Sequence, residues 1–323
     1  MGRRRGAAQE VSKMKWIAPD YFRDFSCIAG ECRHSCCKGW EIDIDPETLE
    51  YYRSIPGDAG RRLKENIDEG GDAPHFRLTA DECCPFLNAD GLCDLILELG
   101  GNCLCQICAD HPRFRNFFSD REEIGLGMCC EEAARLILRQ EEAVRLVLTD
   151  EDDDDEQLTD EETDLLAIRQ ELISIAQNRS LPVEARVQQM LYWAQLPPEA
   201  PDFRRWAAFL LGLERLDADW TERLRALESA PEAPLLRDPE QWEKPFEQLL
   251  VYLLYRHLPG TMEDGDLAGR IAYAALMWRL LRTMFAQQAE HSIPALAELC
   301  RQYSSEIEYS DENLQAVLDE VDT

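Results

Sequence analysis

The chain has 323 residues with 34 basic against 64 acidic side chains, a formal net charge of −30. That balance argues against nucleic acid as the main partner, because phosphate backbones are bound by concentrations of Lys and Arg; a basic, lysine-presenting partner is attracted instead. The most apolar stretch, Ile271 to Phe285, is interrupted by Arg279 and Arg282 and falls short of the roughly 20 residues a bilayer core requires, so no membrane span is expected.

In chain order, the basic start Met1-Gly2-Arg3-Arg4-Arg5 is followed by no apolar signal region, so secretion is not expected and residues 1–20 read as an N-terminal tail. A reducing, cytoplasmic setting follows, where clustered thiols are more often metal ligands or catalytic groups than bridges. Residues 21–149 form a cysteine-rich metal-binding domain, irregular and with minor β structure. Within it, Trp40-Glu41-Ile42-Asp43-Ile44-Asp45 alternates apolar with acidic like a half-buried strand. Asp45 and Pro46 then predict a helix start, as cap and first helical residue, with Leu49 and Tyr52 facing inward. Asn88-Ala89-Asp90-Gly91 predicts a tight turn that presents Cys84 and Cys93 on one side. Glu131 to Leu148 reads as one amphipathic helix.

Seven adjacent carboxylates, Asp150 to Glu156, repel one another and resist burial, so residues 150–160 read as an acidic linker. Beyond it, residues 161–323 form a helical domain. Leu165, Leu166, Ile168, Leu172, Ile173 and Ile175 recur at near-helical spacing, as do Trp206, Phe209, Leu210 and Leu213, then Leu249, Leu250, Leu253 and Leu254. Prolines such as Pro182, Pro231, Pro234, Pro239 and Pro294 separate seven or eight short helices. Trp193, Trp206, Trp220, Trp242 and Trp278 are read as core. The fold class is therefore mainly α.

Twelve of the thirteen cysteines lie between Cys27 and Cys130, and they include the adjacent pairs Cys36-Cys37, Cys83-Cys84 and Cys129-Cys130. Neighbouring Cα atoms are about 3.8 Å apart, below the usual disulfide range, so each pair offers two thiols to something else. The spacings Cys27-x4-Cys32-x3-Cys36-Cys37, Cys84-x8-Cys93, Cys103-x-Cys105-x2-Cys108 and Cys129-Cys130 lack the matched halves of zinc knuckles and suit an iron–sulfur cluster at least as well. The triplet of radical S-adenosylmethionine enzymes fails at Gly39. Cys130, just ahead of a helix, is placed to be partly ionised. His34 and His111 are candidate nitrogen ligands or ordinary loop histidines, and Arg113 suits either a thiolate cluster or a carboxylate-bearing ligand. Gly100-Gly101 and Gly125-Leu126-Gly127 have no strand–loop–helix setting, so no Rossmann-type nucleotide site is expected.

Tyr21-x3-Phe25-x-Cys27-Ile28-x2-Glu31-Cys32-x3-Cys36-Cys37-x-Gly39-Trp40-x-Ile42-x-Ile44-Asp45 resembles the opening of the flagellin lysine-N-methylase family, within a wider group described as zinc- or iron-chelating with eight recurring cysteines. Cys84-Pro85-Phe86-Leu87, Gly91-Leu92-Cys93, Cys108-x3-Pro112-Arg113 and Cys130-x-Glu132-Ala133-Ala134-Arg135 extend the resemblance over residues 21 to 135. His111 stands where that family usually has Tyr, and Glu131 where it usually has Pro. The resemblance implies eight metal-site cysteines, Cys27, Cys32, Cys36, Cys37, Cys84, Cys93, Cys108 and Cys130, and leaves out Cys83, Cys103, Cys105, Cys129 and Cys300. It also implies methyl transfer from S-adenosylmethionine to lysines of flagellin, with an associated iron–sulfur cluster. It does not say which four cysteines bind iron; catalytic residues and the S-adenosylmethionine site are not assigned, and Trp40, Asp43, Arg113 and Glu132 are the residues to watch. A polar route needs a neutral lysine amine, whereas a cluster admits a radical one. The competing reading is a non-catalytic zinc- or iron-handling protein.

Overall fold

A computed structural model describes residues 13–70, 73–153, 156–230 and 236–321. The expected tail before residue 13, Asp154 and Asp155 of the acidic run, and the breaks at Pro231 and Pro234 lie outside them. The chain is mainly helical, with a mixed four-stranded sheet built by its first half.

Strand β1 (Lys13–Pro19) lies inside the sheet. A single 310 turn, Phe22–Asp24, leads from it into the cysteine loop. Helices α1 (Pro46–Ser54) and α2 (Gly57–Asn66), the two-residue strands β2 (Ile67–Asp68) and β3 (His75–Phe76), and the short helices α3 (Asp94–Leu99) and α4 (Gln106–Asp110) follow. Strands β4 (Arg113–Phe118) and β5 (Arg121–Leu126) form a hairpin that leads into α5 (Glu131–Leu138) and then β6 (Leu146–Asp153). The sheet order is β4-β5-β1-β6, with β1 parallel to β5 and antiparallel to β6.

Three expectations are corrected here. Residues 13–19, read as part of an N-terminal tail over 1–20, are strand β1, held between β5 and β6. The helix read over Glu131 to Leu148 stops at Leu138, because residues 146–153 pair with β1 and the Gln248 side chain binds the carbonyls of Gln140 (3.0 Å) and Glu142 (2.9 Å) across the connection. The acidic run is strand up to Asp153 rather than linker. The Asp150, Glu151 and Asp152 side chains are exposed on a sheet edge while the backbone pairs with β1, and Glu151 sits opposite Lys15. Charge on an edge strand deters pairing with another chain. Thr149 is the extra residue of a bulge, and its hydroxyl donates to the Trp16 carbonyl at 3.0 Å.

The cysteine-rich stretch has its own small core. Ile42, Ile44, Leu49, Tyr52, Leu63, Phe76 and Phe86 bury together with Cys84, Cys103 and Cys105. The alternation over residues 40–45 is as expected, with Ile42 and Ile44 inside, although only an isolated bridge from Asp43 to His75 forms instead of a strand. Asp45 caps α1 by accepting from the Thr48 N–H at 2.9 Å, with Pro46 in the first turn. The turn at Asn88 closes as expected, with Leu87 bridged to Cys93.

The remaining helices are α6 (Asp160–Ala176), α7 (Val183–Trp193), α8 (Phe203–Gly212), α9 (Ala218–Ser229), α10 (Glu243–His257), α11 (Thr261–Asp264), α12 (Leu267–Ala286), α13 (Ile293–Tyr303) and α14 (Asp311–Val321). A π-helical turn, Ser304–Glu308, follows α13. Helices α10 and α12 are buried on nearly all sides, polar residues such as Glu247 and Arg279 included, and form the centre of the main core. That core also takes in Leu126, Met128 and most of α5, so the sheet and α5 are anchored to the helical half.

Two buried charge pairs hold this arrangement. Arg169 of α6 makes two 2.6 Å hydrogen bonds to Glu123 of β5, both side chains almost fully buried, with the guanidinium over the rings of Phe118 and Tyr255. In the second pair, Glu308 accepts from Tyr252 (2.5 Å) and from His257 Nε2 (2.7 Å), with Arg256 Nε 3.7 Å away. Burial works against charge on Glu308, but Arg256 and His257 outweigh it and hold its pKa at about 2. Burial also holds His257 below its usual value, so the ring is neutral and donates to the carboxylate.

We expect Arg169→Ala to cost about 3–5 kcal/mol, because it strands a buried carboxylate, and urea unfolding measures it. Glu308 and His257 both bind protons more weakly in the folded chain than in the unfolded one. Stability should therefore be lost as the pH falls from about 6.5, the ordinary histidine value, towards 2. Urea midpoints across that range should fall steeply in the native chain, whereas Glu308→Gln should flatten the segment below about pH 4.5 from a lower starting stability.

Candidate functional site

A cavity of about 1040 Å³ opens between the cysteine-rich stretch and the helical half. Trp40, Ile44, Ile107, Leu216 and Tyr309 give it apolar walls, and Cys36 and Cys129 reach it from the cysteine side. Arg33, Arg113 and Arg301 supply positive charge, and Asp43, Asp110 and Asp217 negative charge. Ligand sites of this kind pair apolar walls with a few convergent polar groups.

The floor is set by the Glu308 pair. Tyr252, bound to Glu308, accepts the Met128 N–H at 3.2 Å, and Arg256 lies between the rings of Phe114 and Tyr309 at 4.8 Å from each centroid. This fixes the turn that delivers Cys129 and Cys130. Gly127 is required in that turn: a Cβ there would stand 2.3 Å from the Tyr309 hydroxyl and 3.0 Å from Arg256. Gly125 is a similar case, its missing Cβ leaving room for the Phe114 ring. Both glycines serve packing.

The three cavity arginines differ in their partners. Arg33 is paired with Glu131 (3.1 Å), and Arg301 with Asp217 (2.9 Å) and Glu298 (2.8 Å). Arg113 donates to the Ala109 carbonyl at 3.4 Å and lies against the rings of Phe22 and Phe25; among the described residues no carboxylate is hydrogen-bonded to it. Burial and Arg113 together hold the His111 pKa down at about 4, so that ring is neutral near pH 7. Asp110 is ionised: burial opposes this, but Gln106 and Arg115 outweigh it.

Of the residues to watch, Trp40, Asp43 and Arg113 line the cavity, with the Trp40 indole donating to the Cys36 carbonyl at 2.8 Å. Glu132 instead pairs with Arg135 and Arg139. His34 turns to Glu298 at 3.0 Å, and His111 faces Tyr309. Sequence patterns missed Cys129, Leu216, Asp217 and Arg301 as cavity residues, since three of these come from the helical half and carry no motif.

All thirteen cysteines are free thiols. Among the described residues, no three His, Cys, Asp or Glu side chains already stand in ligating geometry. Their neighbourhoods nevertheless sort them. A charge on Cys27 or Cys130 raises the proton affinity of Cys36, and charges on Cys32 and Cys27 do so for Cys130. Cys37, Cys93 and Cys105 act likewise on Cys84, and Cys105, Cys37 and Cys84 on Cys108. Cys36 holds its proton against Cys37, whose pKa falls to about 7 as it accepts that hydrogen bond. Glu131 clamps the first loop to α5, accepting the Arg33 N–H at 3.0 Å. Cys130 occupies the N-cap of α5 as expected, but it is not ionised in advance: burial pushes its pKa up to about 11 despite the N–H groups of Ala133 and Glu132. Cys300 is buried in the main core, far along the chain from the rest.

No family model matches the chain, and no solved structure is similar to it. Lysine-N-methylases of Salmonella choleraesuis (strain SC-B67) and Salmonella typhimurium (strain LT2) are each 30% identical over 128 residues, which span 37% of this chain and 31% of theirs. The match thus covers about a third of the length of those two relatives. The flagellar biosynthetic protein FliU of Salmonella muenchen is also 30% identical over 128 residues, and here the match covers 75% of that protein and 37% of this chain. On that coverage, the chain belongs to the flagellin lysine-N-methylase family.

Proposed function

We propose that the cavity is the site of S-adenosylmethionine-dependent N-methylation of a lysine on flagellin or another lysine-presenting protein, with an iron–sulfur cluster held by cysteines beside it. The names of the Salmonella relatives support the methylase reading. The observation that carries it to this place is Arg113, a cavity guanidinium with no hydrogen-bonded carboxylate among the described residues, beside Trp40 and Cys36. A fork of that kind suits the carboxylate of a methionine-derived donor.

The donor chemistry fits a cluster: Cys27, Cys32, Cys36 and Cys130 are reduced thiols in one neighbourhood, and iron–sulfur centres take four thiolates. Such a centre, held by those cysteines, would supply redox-active, Lewis-acidic iron. For the lysine, the amine lone pair forms the new N–C bond as the donor's C–S bond breaks, and that amine must first lose its proton. Among the wall groups, burial raises the Glu306 pKa, but that carboxylate is engaged by the Leu216 and Asp217 N–H groups. Asp110 lies below its usual range and His111 at about 4. The cavity instead favours the neutral amine by removing water around Trp40, Ile44, Ile107 and Leu216 and by the positive charge of Arg113. The acidic surface draws the basic partner in, which affects encounter more than chemistry.

Anaerobically isolated full chain with S-adenosylmethionine and flagellin should give increments of about 14 Da on lysine by mass spectrometry. Arg113→Ala should weaken S-adenosylmethionine binding by roughly 10-fold or more, the worth of one charged hydrogen-bonded pair, as read by calorimetry. The rate should rise with pH through the alkaline range, and His111→Asn should change it little, because desolvation rather than an imidazole base frees the amine. An acid limb near pH 6.5 that His111→Asn removes would refute that account. Unmodified flagellin and no binding of S-adenosylmethionine, with the metal centre intact, would leave the metal-handling reading.

A further inference from the structure

Among the described residues five carboxylates line the cavity, and four of them are already committed. Asp45 accepts the N–H groups of Thr48 (2.9 Å) and Gln106 (2.8 Å), Asp110 is bound by Arg115 (2.9 Å) and Asp217 by Arg301 (2.9 Å), and Glu306 accepts the N–H groups of Leu216 (3.0 Å) and Asp217 (2.6 Å). Asp43 is the exception: it is exposed, and its side chain has no hydrogen bond or ion pair among the described residues. Its backbone is nevertheless fixed. It bridges to His75, its neighbours Ile42 and Ile44 are buried, and the Ile44 N–H donates to the Pro74 carbonyl at 2.7 Å. The free carboxylate on this fixed backbone is the counterpart, in the same cavity, of the guanidinium of Arg113.

Apolar side chains gather at the same opening. Ile107, Leu216 and Tyr309 all line the cavity and yet stay 39%, 72% and 45% exposed. Single exposed apolar residues need no explanation, whereas several that converge from distant parts of the chain mark a contact surface. Each is also held still. The Gln106 N–H ties the start of α4, which carries Ile107, to Asp45, and the Tyr309 ring lies against the Arg256 guanidinium at 4.8 Å. The turn that carries Leu216, between α8 and α9, hangs on the carboxylate of Glu306, a residue only 4% exposed. Burying a carboxylate is costly, and here the turn it fixes displays a leucine to solvent. An apolar anchor fixed in advance has little ordering left to lose when a partner binds.

We propose that this mouth recognises the methyl acceptor as a lysine with an apolar side chain beside it: Asp43 pairs with the arriving ammonium group, and Leu216, Ile107 and Tyr309 form the seat for the apolar neighbour. This rests on the methylase reading of the cavity and adds to it a preference among lysines. An exposed carboxylate alone attracts any cation, and only weakly. Selection comes from requiring both contacts at once, since a lysine without an apolar neighbour leaves the seat wet, and one beside an acidic side chain is repelled by Asp43. The occupant is a segment of the acceptor protein rather than a second copy of this chain, because two copies at a net charge of −30 repel each other. Asp43 and Leu216 act on the acceptor and not on S-adenosylmethionine, whose carboxylate goes to Arg113.

Purified flagellin is the probe, titrated calorimetrically into the full chain isolated without oxygen, for the native protein, Asp43→Asn, Leu216→Asn and Leu216→Met. Both Asn replacements fall at exposed positions, so they should fold and bind S-adenosylmethionine as the native chain does. Each should weaken flagellin binding by roughly 10-fold, the worth of one well-placed interface contact, whereas Leu216→Met should stay close to native. In turnover the same factor should appear in KM. The lysines that the native chain modifies should each have an apolar neighbour on the flagellin surface, and changing that neighbour to Ser should suppress methylation there. Native affinity in either Asn variant, or methylation indifferent to the neighbouring side chain, would overturn the proposal and leave the methylase reading standing. Flagellin held through Asp43 and Leu216 without methyl transfer would refute that reading alone, and a native chain that neither binds nor modifies flagellin would refute both.

Discussion

The carboxylate of Glu308 has no water to fall back on, and much of the architecture is organised around satisfying it. Arg256 supplies the opposite charge, while Tyr252 and His257 supply hydrogen bonds. Those groups are committed in turn: Tyr252 accepts the backbone of Met128, and Arg256 is stacked between a strand residue, Phe114, and Tyr309 at the far end of the chain. A buried charge is tolerable only when its partners are fixed. Fixing these partners places the sheet, α10 and the turn before α5 in one relation. The π-helical turn from Ser304 to Glu308 belongs to this requirement, since such turns occur where a helix is re-aimed at a functional region.

The cavity follows from that relation. Its cysteine wall is irregular backbone with few ladders of its own, and its helical wall is rigid core. Arg301 and Asp217 satisfy each other across the helical side, whereas Arg113 is stacked on phenylalanine faces, donates to the Ala109 carbonyl and lines the cavity with no hydrogen-bonded carboxylate among the described residues. The difference between paired and unpaired arginines separates structural charge from charge able to meet a ligand. Chemistry at lysine in such a place depends on how the walls treat an ammonium group: the apolar side chains and Arg113 disfavour it, while Asp43, Asp110 and Asp217 attract it.

Local signals were legible wherever one residue's chemistry decides the outcome. Asp45 and Pro46 start a helix, Asn88 to Gly91 turns the chain, and Leu49, Tyr52, Ile42 and Ile44 face inward because the pattern of apolar residues matches the backbone period. The tryptophans read as core are largely buried for the same reason. Illegible were features that depend on a distant partner. Val144 to Leu148 carries apolar residues that suit a helix continued from α5 equally well, and only β1, more than a hundred residues earlier, makes it a strand. Cys130 looked ready to ionise from its helix position, but the burial that opposes this comes from elsewhere in the fold.

The position of β1 has a consequence for the order in which the molecule can assemble. Its partners are β5, from Arg121, and β6, to Asp153, so a growing chain must make more than a hundred residues before residues 13–19 have anything to pair with. Closing so long a loop costs entropy that contacts repay only afterwards. The small core, by contrast, is complete once residue 108 has been made, with contacts that are short in sequence. The cysteine-rich unit can therefore gather its thiols while the sheet is still open, and β1 is fastened only after that unit is complete.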